Sequence, residues 1–449
     1  MRLLPDADRS GRILRLGLPI MGGMSTYTLL ELMDVVFVGY LGTTALAAVG
    51  ICVFVTFSYL SLFGGVTVAV QASTARLVGE QSARGEAHCE DVERFLRSAL
   101  LIVLIAAPLG AVVLGSYATG LLQLMNDDPA VTAVGSPYLR WSFAAGVFLT
   151  LNNAFMGFWN ATDRPRLYLR VVLLQAVVKL PLNYMLMFGW GAVPAYGVEG
   201  AGMSTCAAAL AGSLYHAASA WRHAPGFLRG PTRSQSRIVL RLLVPAGSQQ
   251  FLENLALTLM FRIVALIGTV EVAGYTVLVN LVGAVGLPAW GLGMAGATLV
   301  GQAMGAGDPD AADRWAWDVV RVGTLAMILL GVPFWVAPEW ILALFIHDAG
   351  ALAVAVWPCR VLGLMIGING LGYLFASLLY GAGDVKRVLY VNLATQYLVL
   401  LPGAYLAGVH LGFGLLGVWL VHQFAFRALN AVVLTTLWRQ RRWAAVRLW

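Results

Sequence analysis

Twelve stretches of this 449-residue chain are apolar over lengths that can cross a lipid bilayer, and no other feature limits its fold as severely. They lie at 13–39, 45–76, 95–121, 134–160, 167–189, 199–221, 239–267, 273–303, 316–337, 351–381, 387–408 and 412–437, each closed by charge, proline or clustered glycine. Hydrocarbon offers no water to a backbone N–H or C=O, so spans of this length must be helices that bond within themselves. The chain is therefore predicted to be an all-α integral membrane protein with twelve transmembrane helices. With 59% apolar and 11% charged residues, against roughly a quarter charged in a soluble domain, a soluble globule is excluded. The opening segment MRLLPDADRSGRILRLGLPI carries Asp6 and Asp8 and no small-residue cleavage site, so it is expected to be retained, not removed as a signal peptide. Cys52, Cys89, Cys206 and Cys359 lack the paired spacing of a disulfide framework or a zinc ribbon.

The connections alternate in charge. Segments 40–44, 122–133, 190–198, 268–272, 338–350 and 409–411 hold no Lys or Arg, whereas 222–238 holds Arg222, Arg229, Arg233 and Arg237. All but five of the 29 cations fall in the tails, the even-numbered connections or the helix ends beside them. By the positive-inside rule both termini, Arg2 included, face the cytoplasm, and the chain is expected to be a multi-pass protein of the plasma (bacterial inner) membrane. The net charge of +7 is then a matter of topology and of contact with anionic membrane lipids. No basic patch with interleaved aromatics asks for a nucleic-acid partner.

The chain also repeats itself. LRLGLPI at 14–20 returns as LRLLVPA at 240–246, which sets Arg15 against Arg241 and Pro19 against Pro245. In the same order Leu41-Gly42-Thr43 meets Ile267-Gly268-Thr269, LVGEQSARGE from Leu77 meets LVGQAMGAGD from Leu299, NATD from Asn160 meets GAGD from Gly381, and Pro181 meets Pro402. Six spans per copy start both copies on the same side, so the repeat is parallel, about an axis along the membrane normal. The expected organisation is two pseudo-symmetric six-helix lobes with a cleft between them: residues 1–221, a cytoplasmic linker 222–238, residues 239–437, and a basic cytoplasmic tail 438–449.

Five cations remain inside predicted spans. Arg140, Arg262 and Arg360 lie near outer helix ends and can snorkel; Arg427 is deeper, near His422; Lys179 sits in the fifth span. Only three acids are embedded, Glu31, Asp34 and Glu253, and each is a functional candidate because an acid at mid-bilayer costs about 2.5 to 3.5 kcal/mol on insertion scales. Asp34 and Glu31 are three residues apart on one helix, near enough to share a face, and Glu31 reads equally well as a structural hydrogen-bonded carboxyl. The fifth span offers Gln175, Lys179 and Asn183 at a spacing of four, hence on one face. A buried ammonium needs a counter-charge, and Asp34 is the acid expected to supply it. The pair is either a static strut or a contact broken on protonation, and the second reading is favoured.

Several of these segments resemble the multidrug and toxic compound extrusion (MATE) family of secondary transporters, across essentially the whole chain. MDVVFVGYLGTTALAAVG (33–50) looks like the family's first-helix signature with its acid at Asp34. LVGQAMGAGD (299–308) and its first-half partner look like the paired loops after helices 2 and 8. PAGSQQFLEN (245–254) places Glu253 eight residues after Pro245, as in the family's seventh-helix acid. LPLNY (180–184) supplies Asn183 as a cavity asparagine, and GVEGAGMST (197–205) supplies Thr205. Two positions depart from the sodium-coupled bacterial branch: Lys179 stands where that branch has an asparagine, and Asn369 and Met365 stand where it has an acid and a tyrosine. Oxygen ligands for a hard cation are thinned in both lobes.

The resemblance thus implies an antiporter that exports amphipathic, often cationic small molecules or drugs in exchange for an inward-moving ion, H+ more than Na+, with no cofactor. Asp34 is the expected coupling acid, Lys179, Asn183, Thr205, Gln175 and Glu31 its surroundings, Glu253 a second-lobe acid, and Tyr27, Met33 and Tyr184 adaptable walls. A monomer is expected. The alternative within the same superfamily, a lipid-linked sugar flippase, calls for a strongly basic cavity and commonly more helices. A membrane enzyme would need a nucleophile with its base or a metal cluster, and His88, His216, His223, His347, His410 and His422 are scattered without ligand spacing. The charge alternation makes a direct prediction. Single cysteines placed at Arg233 and Glu271 should react with an impermeant thiol reagent from opposite membrane faces, and labelling of both from one face would end the twelve-span reading.

Overall fold

The computed structural model describes residues 5–85, 90–228, 233–346 and 348–448; Arg2, His88, Cys89, Arg229 and His347 lie outside them. Among the described residues the chain is helical with no β-strand, its one isolated bridge joining Trp190 to Val193. Twelve long helices carry it: α1 Ala7–Gly39, α2 Thr43–Arg84, α3 Glu90–Ser116, α4 Pro129–Ala161, α5 Pro165–Phe188, α6 Val198–His223, α7 Arg233–Ala265, α8 Thr269–Gly305, α9 Pro309–Val336, α10 Ala349–Gly381, α11 Val385–His410 and α12 Gly414–Arg439. Short helices Ala118–Met125 and Pro338–Ala343 follow α3 and α9, equivalent places in the two copies of the repeat. Eight of the twelve are apolar enough to span a membrane by length and composition alone. The other four, α1, α4, α6 and α7, are diluted by polar or small residues, among them Glu31 and Asp34 on α1, Asn152 and Asn153 on α4, Ser204 on α6, and Gln249 and Glu253 on α7. The protein is an all-α integral membrane protein of twelve transmembrane helices in two pseudo-symmetric sets of six.

Helix boundaries follow from the residues that stand there. Asp128, Asp308 and Asp348 accept from the backbone N–H groups of Ala130, Ala311 and Ala351 at 2.7–2.8 Å, and Pro129 and Pro309 occupy first-turn positions where no donor is needed. At the other ends, α4, α8 and α10 finish on one type of turn. Asp163, Gly307 and Gly383 take left-handed φ values of 57°, 76° and 84°, and the next N–H reaches back five residues, from Arg164 to Trp159, Asp308 to Ala303 and Asp384 to Leu379. This turn corrects the repeat by one residue: aligning NATD with GAGD sets Thr162 against Gly383, whereas the residue that holds the left-handed place is Asp163.

The chain divides into two compact units. One comprises Gly22–Gly247; its core gathers Val38, Val49, Tyr59, Leu122, Leu139 and Phe143, with the Tyr59 hydroxyl donating to the Ala107 carbonyl at 2.8 Å and its ring edge-on to Phe143. The other comprises Met1–Met21 and Ser248–Trp449 and has two cores, one around Tyr275, Leu362 and Trp419, the second around Ile13, Leu299, Phe375 and Trp438. The division falls inside α1 and α7, just beyond the matched prolines Pro19 and Pro245. Residues 5–21 therefore pack with the helices that follow Ser248, and the start of α7 packs with those that precede it.

Glycine makes both packings possible. In the first unit a Cβ on Gly65 would meet the Leu243 carbonyl and stand 2.7 Å from the Gly247 nitrogen, so α2 and α7 cross backbone to backbone. In the second, Gly291 lies against Met21, and a Cβ on Gly17 would stand 2.8 Å from Leu292 Cδ2. Gly65 with Gly247 and Gly291 with Met21 are the same contact in the two copies of the repeat, each pair offset by 226 residues. We expect Gly65→Val to destabilise the purified protein by about 1–3 kcal/mol or more, because the clash is with backbone that cannot turn aside. Gly50→Ala, with nothing within 4 Å, is the matched control and should leave the melting temperature unchanged or raised.

Candidate functional site

In the unit of residues 22–247, α1, α5 and α6 bring four polar side chains together. Lys179 Nζ lies 2.5 Å from Asp34 Oδ2, Asn183 Nδ2 donates to Asp34 Oδ1 at 2.6 Å, and Ser204 Oγ bonds Asn183 Oδ1. The spacing of four on α5 aims Lys179 and Asn183 at both carboxylate oxygens, and Pro181 between them removes one helical N–H. Asn183 and Ser204 are wholly buried, whereas the Asp34 side chain keeps 16% of its surface open, so the carboxylate is the exposed member of a buried cluster. An ion pair with this much hydrogen bonding survives burial; removing one partner would leave an uncompensated charge.

The remaining candidates on these helices fall around that cluster, and not all within it. Glu31, one turn before Asp34, is exposed and lies in the electrostatic field of Lys179 and Asp34, within reach of Tyr27. Gln175 is buried one turn before Lys179, but it faces Gly212 and Asn152, and Asn152 in turn bonds the Ala209 carbonyl and Ser213. Thr205 bonds back to the Ala201 carbonyl at 2.9 Å. The hydroxyl that joins the cluster belongs to its neighbour Ser204, which sequence reasoning passed over although a shift of one residue on a helix turns a side chain by about 100°.

Glu253 occupies a neutral network in the other unit. Gln249 Nε2 donates to its Oε1 at 3.2 Å and Asn392 Nδ2 lies at 3.4 Å; the Tyr380 hydroxyl donates to Gln249 Oε1 at 2.7 Å, and Asn430 Nδ2 bridges Asn392 Oδ1 and Thr395 Oγ1 at 2.6 and 3.2 Å. A second group on α10 and α12 joins Asn369 to Gln423 at 2.7 Å and Gln423 to His422. Asn392, Thr395, His422, Gln423 and Asn430 lie on or beside π-helical turns at Ala394–Leu400 and Val421–Ala428, each carrying an extra residue per turn, a distortion common at functional sites and invisible to a 3.6-residue pattern. Arg427 lies 4.9 Å from the centroids of Tyr373 and Phe426, makes no ion pair among the described residues, and acts electrostatically on Glu253, Tyr275 and His422. Of the other embedded cations, Arg360 pairs with Glu339 at 2.9 Å, and Arg140 and Arg262 are exposed.

Chemically the two sites differ. The Asp34 carboxylate has an ammonium on one oxygen and an amide on the other, so its charge is balanced at contact distance. Glu253 meets amides and a phenol-supported glutamine, so its charge is balanced only at a distance, by Arg427. Among the described residues no group of three or more His, Cys, Asp or Glu side chains could hold a metal ion.

The MatE family model matches residues 19–185 and 245–406. A probable multidrug resistance protein NorM from Pseudomonas syringae pv. tomato is 26% identical over 423 residues, covering 91% of this chain and 90% of its own, and one from Aromatoleum aromaticum is 30% identical over 359 residues, covering 77% and 75%. Among solved structures, a MOP superfamily transporter from Pyrococcus furiosus superposes with a TM-score of 0.88 at 20% identity over 99% of this chain and 97% of its own, and a multidrug resistance MATE family transporter in an outward-facing conformation with 0.87 at 21% over 97% and 96%. The structural likenesses establish the fold, and the family model, matching each of the two repeats in turn, establishes kinship. The chain belongs to the MatE family, the multidrug and toxic compound extrusion transporters.

Proposed function

We propose that this protein is a proton-coupled antiporter that exports amphipathic, cationic small molecules, with Asp34 as the group at which ion and substrate compete. The observation that carries the reading is the 2.5 Å contact between Lys179 and Asp34. An ammonium at that distance fills the place where a sodium ion would need an oxygen ligand, and lysine has no acceptor to offer. A proton on Asp34 or an organic cation beside it changes the same contact, and either shifts the balance between two states only by binding one of them better. Asn183 and Ser204 hold the carboxylate in place through the exchange. The relatives' names, probable multidrug resistance proteins, agree with this substrate class. Glu253 is read as a second-lobe acid whose occupancy tunes the cycle. Both termini and the segment 222–238 are placed on the cytoplasmic side of the plasma membrane, and the protein is taken to work as a monomer.

The coupling reading is tested in proteoliposomes loaded with a fluorescent organic cation, under an imposed proton gradient and then a sodium gradient. Asp34→Asn should abolish coupled efflux, a loss of at least about tenfold, equivalent to about 1.4 kcal/mol. Lys179→Asn should weaken proton-driven efflux and let sodium substitute in part. Efflux by Lys179→Asn equal to the parent's under both gradients would make the lysine a bystander and remove the ground for preferring the proton.

Glu253→Gln is the complementary experiment. Glutamine keeps the shape and can still accept from Gln249 and Asn392, so expression and melting temperature should hold while efflux falls or its pH or sodium dependence moves. An efflux curve unchanged across both series would reduce Glu253 to a structural hydrogen-bond acceptor.

A further inference from the structure

In the unit of residues 1–21 and 248–449, at the end of α9 nearest its start, a cavity of about 1000 Å³ is bounded by the start of α1, α9, Leu371 of α10 and the end of α12. Its rim carries Arg9, Arg314, Arg321 and Arg439 with the ring of Trp317, interspersed with Asp6, Asp313 and Asp318. Part of this charge is already engaged: Arg9 pairs with Asp318 at 2.8 Å, and Asp313 accepts from Trp438 Nε1 at 2.8 Å. Arg439 is not; it lies 5.5 Å from the centroid of the Trp317 ring, is exposed, and holds no ion pair among the described residues. Arg321 reaches Asp318 only at 3.4 Å and keeps 35% of its side-chain surface open. Among the described residues Arg439 is therefore free of an ion pair at the rim, and Arg321 holds its carboxylate through a single long contact that an anion can compete for.

The wall below the rim changes character in order along one face of α9. One turn on from Arg321 comes Thr324, whose hydroxyl is buried and has no hydrogen-bond partner, whereas Thr26, Thr28 and Thr205 each bond the carbonyl four residues back. Beside and beyond it stand Leu325 and Ile328, exposed apolar side chains at 43% and 51% that line the same cavity with Leu371. From Trp317 to Ile328 the face runs about 16 Å at 1.5 Å per residue. Cations at the rim, a lone hydroxyl a turn deeper and exposed aliphatic side chains below it match, level by level, a phosphate, an ester oxygen and an acyl chain. The geometry points to a phospholipid site: we propose that the cavity binds an anionic phospholipid of the leaflet at that face, its phosphate between Arg321 and Arg439, its glycerol ester on Thr324 and one acyl chain along Leu325 and Ile328. A free phosphate would leave the aliphatic wall uncovered, and an uncharged detergent would leave the guanidinium groups unanswered. Because α1 contributes Asp6 and Arg9 to the rim and Asp34 to the candidate coupling site, such a lipid would rest against the helix that carries the coupling acid.

The test uses the full-length protein, delipidated in a neutral detergent, with binding read by native mass spectrometry and by the melting temperature on titration with phosphatidylglycerol, phosphatidylcholine or inorganic phosphate. The parent should hold one phosphatidylglycerol at least about tenfold more tightly than phosphatidylcholine and show no competition from millimolar phosphate. Arg321→Gln combined with Arg439→Gln should remove that preference, about tenfold for two lost headgroup contacts. Arg321→Lys with Arg439→Lys should restore most of it, and Arg166→Gln with Arg170→Gln, which removes equal charge from exposed positions on α5, should change nothing. Equal binding of the two lipids by the parent, displacement by phosphate, or an equal loss in the α5 pair would each overturn the proposal, and the first two outcomes need no variant to fold.

Discussion

A polar group carried into hydrocarbon is costly unless it finds a partner within the protein, and that one constraint accounts for most of what the helices do. It dictates helices in the first place, because no other open structure satisfies its own backbone. It also governs the hydroxyls, most of which fold back on the preceding turn, as those of Thr26, Thr28, Thr150 and Thr205 do. Where a charge is unavoidable the partner is a charge: Asp34 meets Lys179, with an asparagine on the carboxylate's second oxygen. Where only one charge is present, at Glu253, the partners are amides and the nearest cation acts from a distance. The two repeats thus solve the same problem in different chemical ways, although their backbones correspond.

The sequence was most legible where the physics is one-dimensional. Hydropathy and the repeat located all twelve helices, and the spacing of four on α5 put Lys179 and Asn183 on one face opposite the acid of α1. Legibility failed where a single residue of phase mattered. Thr205 was singled out and Ser204 makes the contact; Thr162 was aligned with Gly383 and Asp163 takes the left-handed turn. Periodicity constrains which helix and roughly which face, but not the last 100° of rotation, which packing against neighbouring helices decides. The network around Glu253 was hidden for a further reason. Asn392, Thr395, Gln423 and Asn430 stand on α11 and α12, where π-helical turns shift the phase mid-helix, so no regular stripe connects them. The division inside α1 and α7 was equally out of reach, since a contiguous apolar run gives no sign that its two ends have different neighbours.

That division has a bearing on the order in which the chain can be assembled. Domains generally fold as they are synthesised, earlier segments first. Residues 22–247 form one compact unit, so by the time Gly247 has been made the unit's own helices all exist, including the start of α7 that packs on Gly65. The segment before Met21 is in the opposite position. It is made early, yet Leu292, Gln302 and Asp318, against which Gly17, Arg12 and Arg9 rest, are made some three hundred residues later. The start of α1 is therefore made well before the residues it packs against in the folded protein, which reach it only as the rest of the chain is inserted. Its polar character, with Arg9, Arg12 and Arg15 on one short stretch, suits it to that interval at the lipid surface before it is claimed.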